Sequence, residues 1–131
     1  MPPLLDGLRI LILEDEFLIA MDVEQLCRDN GAQDAVIVRD LAEIDGQEGD
    51  GQEGLARFDA AIVDLMLGGV STLDFAARLK SAGMPFVFAS GYSHPDEVGS
   101  AFPGVRLVTK PYSGDDLIEA LALACGRATP V

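Results

Sequence analysis

The sequence predicts an α/β fold built on a doubly wound, five-stranded parallel sheet with helices on both faces. Two observations predict it. Short apolar runs of four to six residues alternate with helix-like stretches five times along the chain, and parallel strands need crossover connections, usually helices. The chain also has 131 residues, 49% of them apolar, which is the size of one domain with a single core and too apolar for a disordered chain.

The elements follow in order. LRILIL (8–13) reads as a fully buried strand. In the helix after it, Phe17, Leu18, Met21, Leu26 and Cys27 fall near helical spacing, with Val23 off the stripe and Gly31 as the stop. AVIV (35–38) is the second strand and DLAEI begins a second helix. DAAIV (59–63) is the third strand. STLDFAARLKSAG follows, with Ser71 or Thr72 as N-cap, a buried stripe of Leu73, Ala76 and Leu79 with Phe75 beside it, and Gly83 as stop. PFVFA (85–89) is the fourth strand, HPDEVGSAF a weak helix, and VRLVT (105–109) the fifth strand. The final helix is capped by Ser113, carries Asp115 and Asp116 at the positive end of its dipole, and turns Leu117, Ile118, Leu121 and Ala124 inward.

One segment breaks the alternation. Residues 46–54 read GQEG-D-GQEG, a tandem copy of a five-residue unit. Its glycines each cost a helix about 1 kcal/mol against Ala, so an expanded surface loop is expected, since added loop length costs little. The functional alternatives are an acidic docking loop or a calcium site, though the segment's acids lack the alternate-residue spacing of a calcium loop.

The net charge of −13 argues against nucleic acid and against anionic membrane, both of which would repel it. No apolar run approaches the roughly 18 residues of a membrane span, and no basic region precedes the first apolar residues, as a signal peptide requires. Cys27 and Cys125 show neither CxxC nor dense spacing, which suits buried thiols in a reducing, cytoplasmic setting.

In a doubly wound sheet, ligands bind beyond the carboxyl ends of the strands. Strand one ends in Glu14-Asp15-Glu16, strand three in Asp64, strand four in Ser90-Gly91 and strand five in Thr109-Lys110-Pro111. Strand two contributes none of these groups, as expected of an edge strand. Two carboxylates ~4 Å apart repel by about 4 kcal/mol at an effective dielectric of 20, so Glu14, Asp15 and Asp64 together call for a cation. All-oxygen ligands suit Mg²⁺, which keeps room for phosphate oxygens. Lys110 can neutralise a phosphoryl group and Ser90 can hydrogen-bond it. Asp64 is then the natural nucleophile, because carboxylates form acyl phosphates. Glu16 reads as the start of the first helix. His94 reads as an exposed loop residue without partner ligands.

The four motifs at those strand ends, LILEDE, VDLML, FASGY and VTKPY in this order, closely resemble the response regulator receiver domain of bacterial two-component signalling. The resemblance covers about residues 8–127. It implies a flavodoxin-like sheet of order 2-1-3-4-5 with five helices, and a single receiver domain over 1–131. It also implies that Asp15 binds Mg²⁺ directly, Glu14 through water, and Met66 through its backbone carbonyl. Asp64 would accept phosphate from a phosphohistidine on a sensor histidine kinase or histidine phosphotransfer protein, with Ser90 as the switch hydroxyl and Lys110 as the phosphate-binding lysine.

PFVFASGY resembles the FATGUY subgroup, with Ser90 where Thr is usual. Against the family, the stretch before Asp64 is longer by about one GQEGD unit, and Leu107 stands where an aromatic switch residue is common. The Lys110–Pro111 bond is expected to be cis, to turn the loop toward the phosphoryl site.

The chain ends a few residues after its last helix, so a stand-alone receiver is expected, with output to a downstream protein partner or as a phosphate sink or relay, and with no catalysis beyond its own phosphorylation and dephosphorylation. Three rival readings fit the sequence less well. A phosphatase of the haloacid-dehalogenase type wants an Asp two residues after the nucleophile, where Met66 stands. A flavin-binding protein wants a phosphate loop after strand one, where three acids stand. A phosphorylation-independent docking module has no need of the complete acid, hydroxyl and lysine set.

Overall fold

The computed structural model describes residues 4–40, 57–67, 69–90, 105, 107–109 and 114–126. Its elements are β1 (Arg9–Leu13), α1 (Phe17–Asp29), β2 (Asp34–Val38), β3 (Ala60–Asp64), β4 (Met66–Leu67), β5 (Val70–Ser71), α2 (Leu73–Ser81), β6 (Phe86–Ser90), β7 (Leu107–Thr109) and α3 (Gly114–Ala124). The main sheet has the order β2-β1-β3-β6-β7 and every pairing in it is parallel. This is the flavodoxin-like order expected, with β6 and β7 as fourth and fifth strands. Three helices lie among the described residues. The helices expected from DLAEI and HPDEVGSAF, the GQEG repeat, His94 and the Lys110–Pro111 bond lie outside them.

Why the strand runs are apolar throughout follows from how their residues divide. On one face Leu11, Leu13, Ala61, Val63, Phe86 and Phe88 pack with Phe75, Ala76 and Leu79 of α2. On the other, Ile10, Ile12, Ala60, Ile62, Val87 and Ala89 pack with Val23 and Cys27 of α1 and with Leu117, Ile118 and Leu121 of α3. Successive strand side chains point to opposite faces, and each face is covered by a helix, so neither parity can be polar. Each fully buried Leu, Ile, Val or Phe contributes roughly 1.5–3 kcal/mol over its exposed state. Strand β3 is buried at all five positions and flanked by β1 and β6.

Three local expectations are corrected. In α1 the buried residues are Ala20, Val23 and Cys27, whereas Phe17, Leu18 and Met21 are 58%, 77% and 47% exposed. At 100° per residue the latter three lie on the opposite flank from Val23 and Cys27. The helix is apolar on two flanks, and the one with small residues lies against the sheet.

In α2, Leu73 is only half-buried and Phe75 joins Ala76 and Leu79 in the core. In α3, Ala124 is exposed, while Ala120 and Ala122 are buried. Among the described residues the core begins ahead of β1, at Leu5, which is fully buried. The turn around it is tied down by Leu5 N–H donating to the Asn30 carbonyl (2.9 Å) and Gly7 N–H to that of Gly31 (3.0 Å). The two expected stops hold: Gly31 and Gly83 take φ of +95° and +74°, which side chains rarely adopt.

Candidate functional site

The ladder between β1 and β2 continues one residue past β1, where Glu14 N–H donates to the Val38 carbonyl (3.1 Å). That bond seats Glu14 at the sheet rim with its side chain buried. The chain then turns sharply into α1. Glu16 N–H donates to Glu14 Oε1 (3.3 Å), and Glu16 holds the N-cap position in extended conformation without a side-chain cap bond. Asp15, in the turn, is half-buried.

On the neighbouring strand Asp64 ends β3 and is buried. Met66 N–H donates to Asp64 Oδ1 (3.3 Å), and Leu65 N–H donates to the Ala89 carbonyl of β6 (2.9 Å). One carboxylate oxygen from each of Glu14, Asp15 and Asp64 lies within 4.8 Å of the others. At that separation two unit charges repel by about 3.5 kcal/mol at an effective dielectric of 20. A group of acids this close, two of them buried, fits an all-oxygen divalent cation such as Mg²⁺.

The remaining expected residues are placed unequally. Ala89 pairs with Asp64 in register, so Ser90, the last residue of β6, stands one step further along the same rim. Ser90 pairs with Thr109 of β7. Lys110 follows Thr109 and lies outside the described residues. Met66 opens a two-strand hairpin that sequence reading did not anticipate, pairing with Ser71 while Leu67 pairs with Val70. Its side chain is exposed. Leu107, opposite Phe88, packs against the layer that α2 covers.

The residue whose role sequence reading missed is Thr72. The sequence offers Ser71 or Thr72 as N-cap; Thr72 holds the N-cap position, but its side chain makes no cap bond to α2. Its hydroxyl turns back, donating to the Asp64 carbonyl (2.6 Å) and lying 3.1 Å from that of Leu65. Ser71 Oγ instead accepts from Leu73 N–H (3.3 Å). A hydroxyl residue ahead of an apolar stripe reads as a cap, and only the tertiary contact distinguishes the two uses. Away from the site, burial pushes the Cys27 thiol up to about 12, with the nearby Arg28 charge opposing the rise.

No protein-family model matches the chain. It is 34% identical over 127 residues to the transcriptional regulatory protein PdtaR of Mycobacterium tuberculosis, covering 91% of this chain and 57% of that protein. It is 31% identical over 120 residues to the transcriptional regulatory protein DltR of Streptococcus agalactiae, covering 88% of this chain and 51% of the relative. The chain thus spans about half the length of these curated relatives. Among solved structures, a response regulator receiver protein from Sinorhizobium medicae superposes with a TM-score of 0.78 at 22% identity, over 93% of this chain and 97% of that one. The response regulator PhyR from Brucella abortus gives 0.67 at 26% identity, over 92% and 48%.

Proposed function

We propose, for a chain that belongs to the response regulator receiver domains, that Asp64 accepts a phosphoryl group from a phosphohistidine on a sensor histidine kinase or histidine phosphotransfer protein. The observation that supports this most is the convergence of the Glu14, Asp15 and Asp64 oxygens within 4.8 Å of one another at the ends of two adjacent strands. An Asp64 oxygen attacks phosphorus. The phosphorus–nitrogen bond to the donor histidine breaks, its electron pair stays on the imidazole nitrogen, and that nitrogen takes up a proton. Asp64 is left as an acyl phosphate.

Glu14, Asp15, Asp64 and the Met66 carbonyl are the groups that would hold Mg²⁺, which when bound neutralises the acids and the phosphoryl oxygens. Ser90 donates to a phosphoryl oxygen and Lys110 offsets its charge. Position 66, where a haloacid-dehalogenase phosphatase would need its acid, is a methionine with an exposed side chain. The domain is a signalling element rather than a metabolic enzyme, acting in the cytoplasm through a protein partner or as a phosphate sink or relay. With Leu107 in place of a switch aromatic, the response passes through residues 90–104.

Intact mass after incubation with acetyl phosphate and Mg²⁺ tests the reading. One added phosphoryl group on the wild type and none on Asp64→Asn is expected. Addition to Asp64→Asn at the wild-type level overturns it.

A further inference from the structure

We infer that Thr72 is a positioning residue for Asp64, and that its hydroxyl, by fixing the Asp64–Leu65 peptide, sets the aim of the acceptor carboxylate. The inference rests on Asp64 being the phosphoacceptor. Thr72 is 0% exposed, so no solvent competes for its hydroxyl. The 2.6 Å bond to the Asp64 carbonyl is at the short end for O–H···O. Its other polar groups are also engaged: Thr72 N–H donates to the Leu65 carbonyl (3.1 Å), and the Thr72 carbonyl accepts from Ala76 N–H (2.9 Å). One residue therefore fastens the first turn of α2 to the end of β3, and the β4–β5 hairpin is the loop closed between them.

What this does for Asp64 follows from the atoms involved. The β3–β6 ladder holds the chain through Leu65 N–H on Ala89. Thr72 grips the carbonyl of the same Asp64–Leu65 peptide, which fixes the plane of that unit. The next amide, that of Met66, points at Asp64 Oδ1, so its aim depends on the plane Thr72 holds. Misplacing a reacting group by 1 Å can cost on the order of 100-fold in rate. A cap would require only a hydroxyl near the helix amides, whereas Thr72 directs its hydroxyl at the acceptor's own backbone.

The test compares Thr72→Val, which keeps the shape and removes the hydroxyl, with Thr72→Ser, which keeps the hydroxyl. Acetyl phosphate is the donor, Mg²⁺ is saturating, and the temperature is well below each variant's melting point. Thr72→Val is expected to phosphorylate at least tenfold more slowly than wild type, and Thr72→Ser within about threefold of it. Leu79→Ala, a core change about two turns along α2 from Thr72, is expected to lower the melting temperature while keeping the rate. If Thr72→Val fails to fold, Thr72→Ala takes its place.

A wild-type rate in the hydroxyl-free variant overturns this inference alone. So does an equal loss in Thr72→Ser, or a loss in Leu79→Ala that matches it. A wild-type protein that takes no phosphoryl group overturns the acceptor reading and this inference with it.

Discussion

At the scale of single residues, the acid group and the buried thiol make opposite demands on the solution. Glu14, Asp15 and Asp64 hold their oxygens within 4.8 Å of one another, a charge density that costs the apo fold. Neutralising one of them with Asp15→Asn should raise stability without divalent cation by on the order of 1 kcal/mol. The same change should abolish the rise in melting temperature that Mg²⁺ gives the wild type, which binding to the folded state alone produces. Calorimetry of both proteins with and without Mg²⁺ checks it, and equal shifts would remove Asp15 from the metal site. Cys27 works the other way. Its thiol is pushed up to about 12 by burial, so the folded chain keeps a proton that the unfolded chain releases near ~8.5. The native state then binds more protons than the unfolded state between those values, and stability must fall as pH rises through that window. Unfolding by urea at pH 8 and pH 10 should show a steeper loss for wild type than for Cys27→Ala. The thiol should also resist thiol reagents until the protein unfolds.

At the scale of elements, α1 shows where sequence reading stops. Its existence, start and glycine stop were legible, because they depend on local chemistry. Its buried face was not, because Phe17, Leu18 and Met21 on one flank are as apolar as Ala20, Val23 and Cys27 on the other, and contact with the sheet chooses between them. Val23→Ala should therefore cost about 2 kcal/mol, and Leu18→Ala less than about 0.5 kcal/mol, measured by urea denaturation. The reverse order would place the helix the other way round. The same logic divides the site. That acids gather at the rim was legible in Glu14, Asp15 and Asp64, since strand order alone brings those ends together. The reversed hydroxyl of Thr72 and the β4–β5 hairpin were not, because a threonine before a helix and a Leu-Gly-Gly-Val stretch fit several local structures equally well.

At the scale of the whole molecule, a net charge of −13 over 131 residues sets the fold against its own field. Self-repulsion of that kind destabilises the compact state, and it is screened over about 8 Å at 0.15 M salt. Stability should therefore rise as sodium chloride is raised from about 0.01 M to 0.15 M, and urea midpoints at the two concentrations measure it. A fall would mean that attractive pairs such as Arg28 with Asp34 outweigh the net field. Against that field the sheet centre stands firm, with β3 buried along its whole length between two paired neighbours. Amide protons of such a strand exchange last, through global opening only. Asp64 is the terminal residue of that strand, so it belongs to the slowest-opening part of the chain. An acyl phosphate there would decay by water reaching the rim and not by fraying of its support. The signal's duration then becomes a matter of hydrolysis chemistry alone, and it should stay constant in mild denaturant until the whole domain melts.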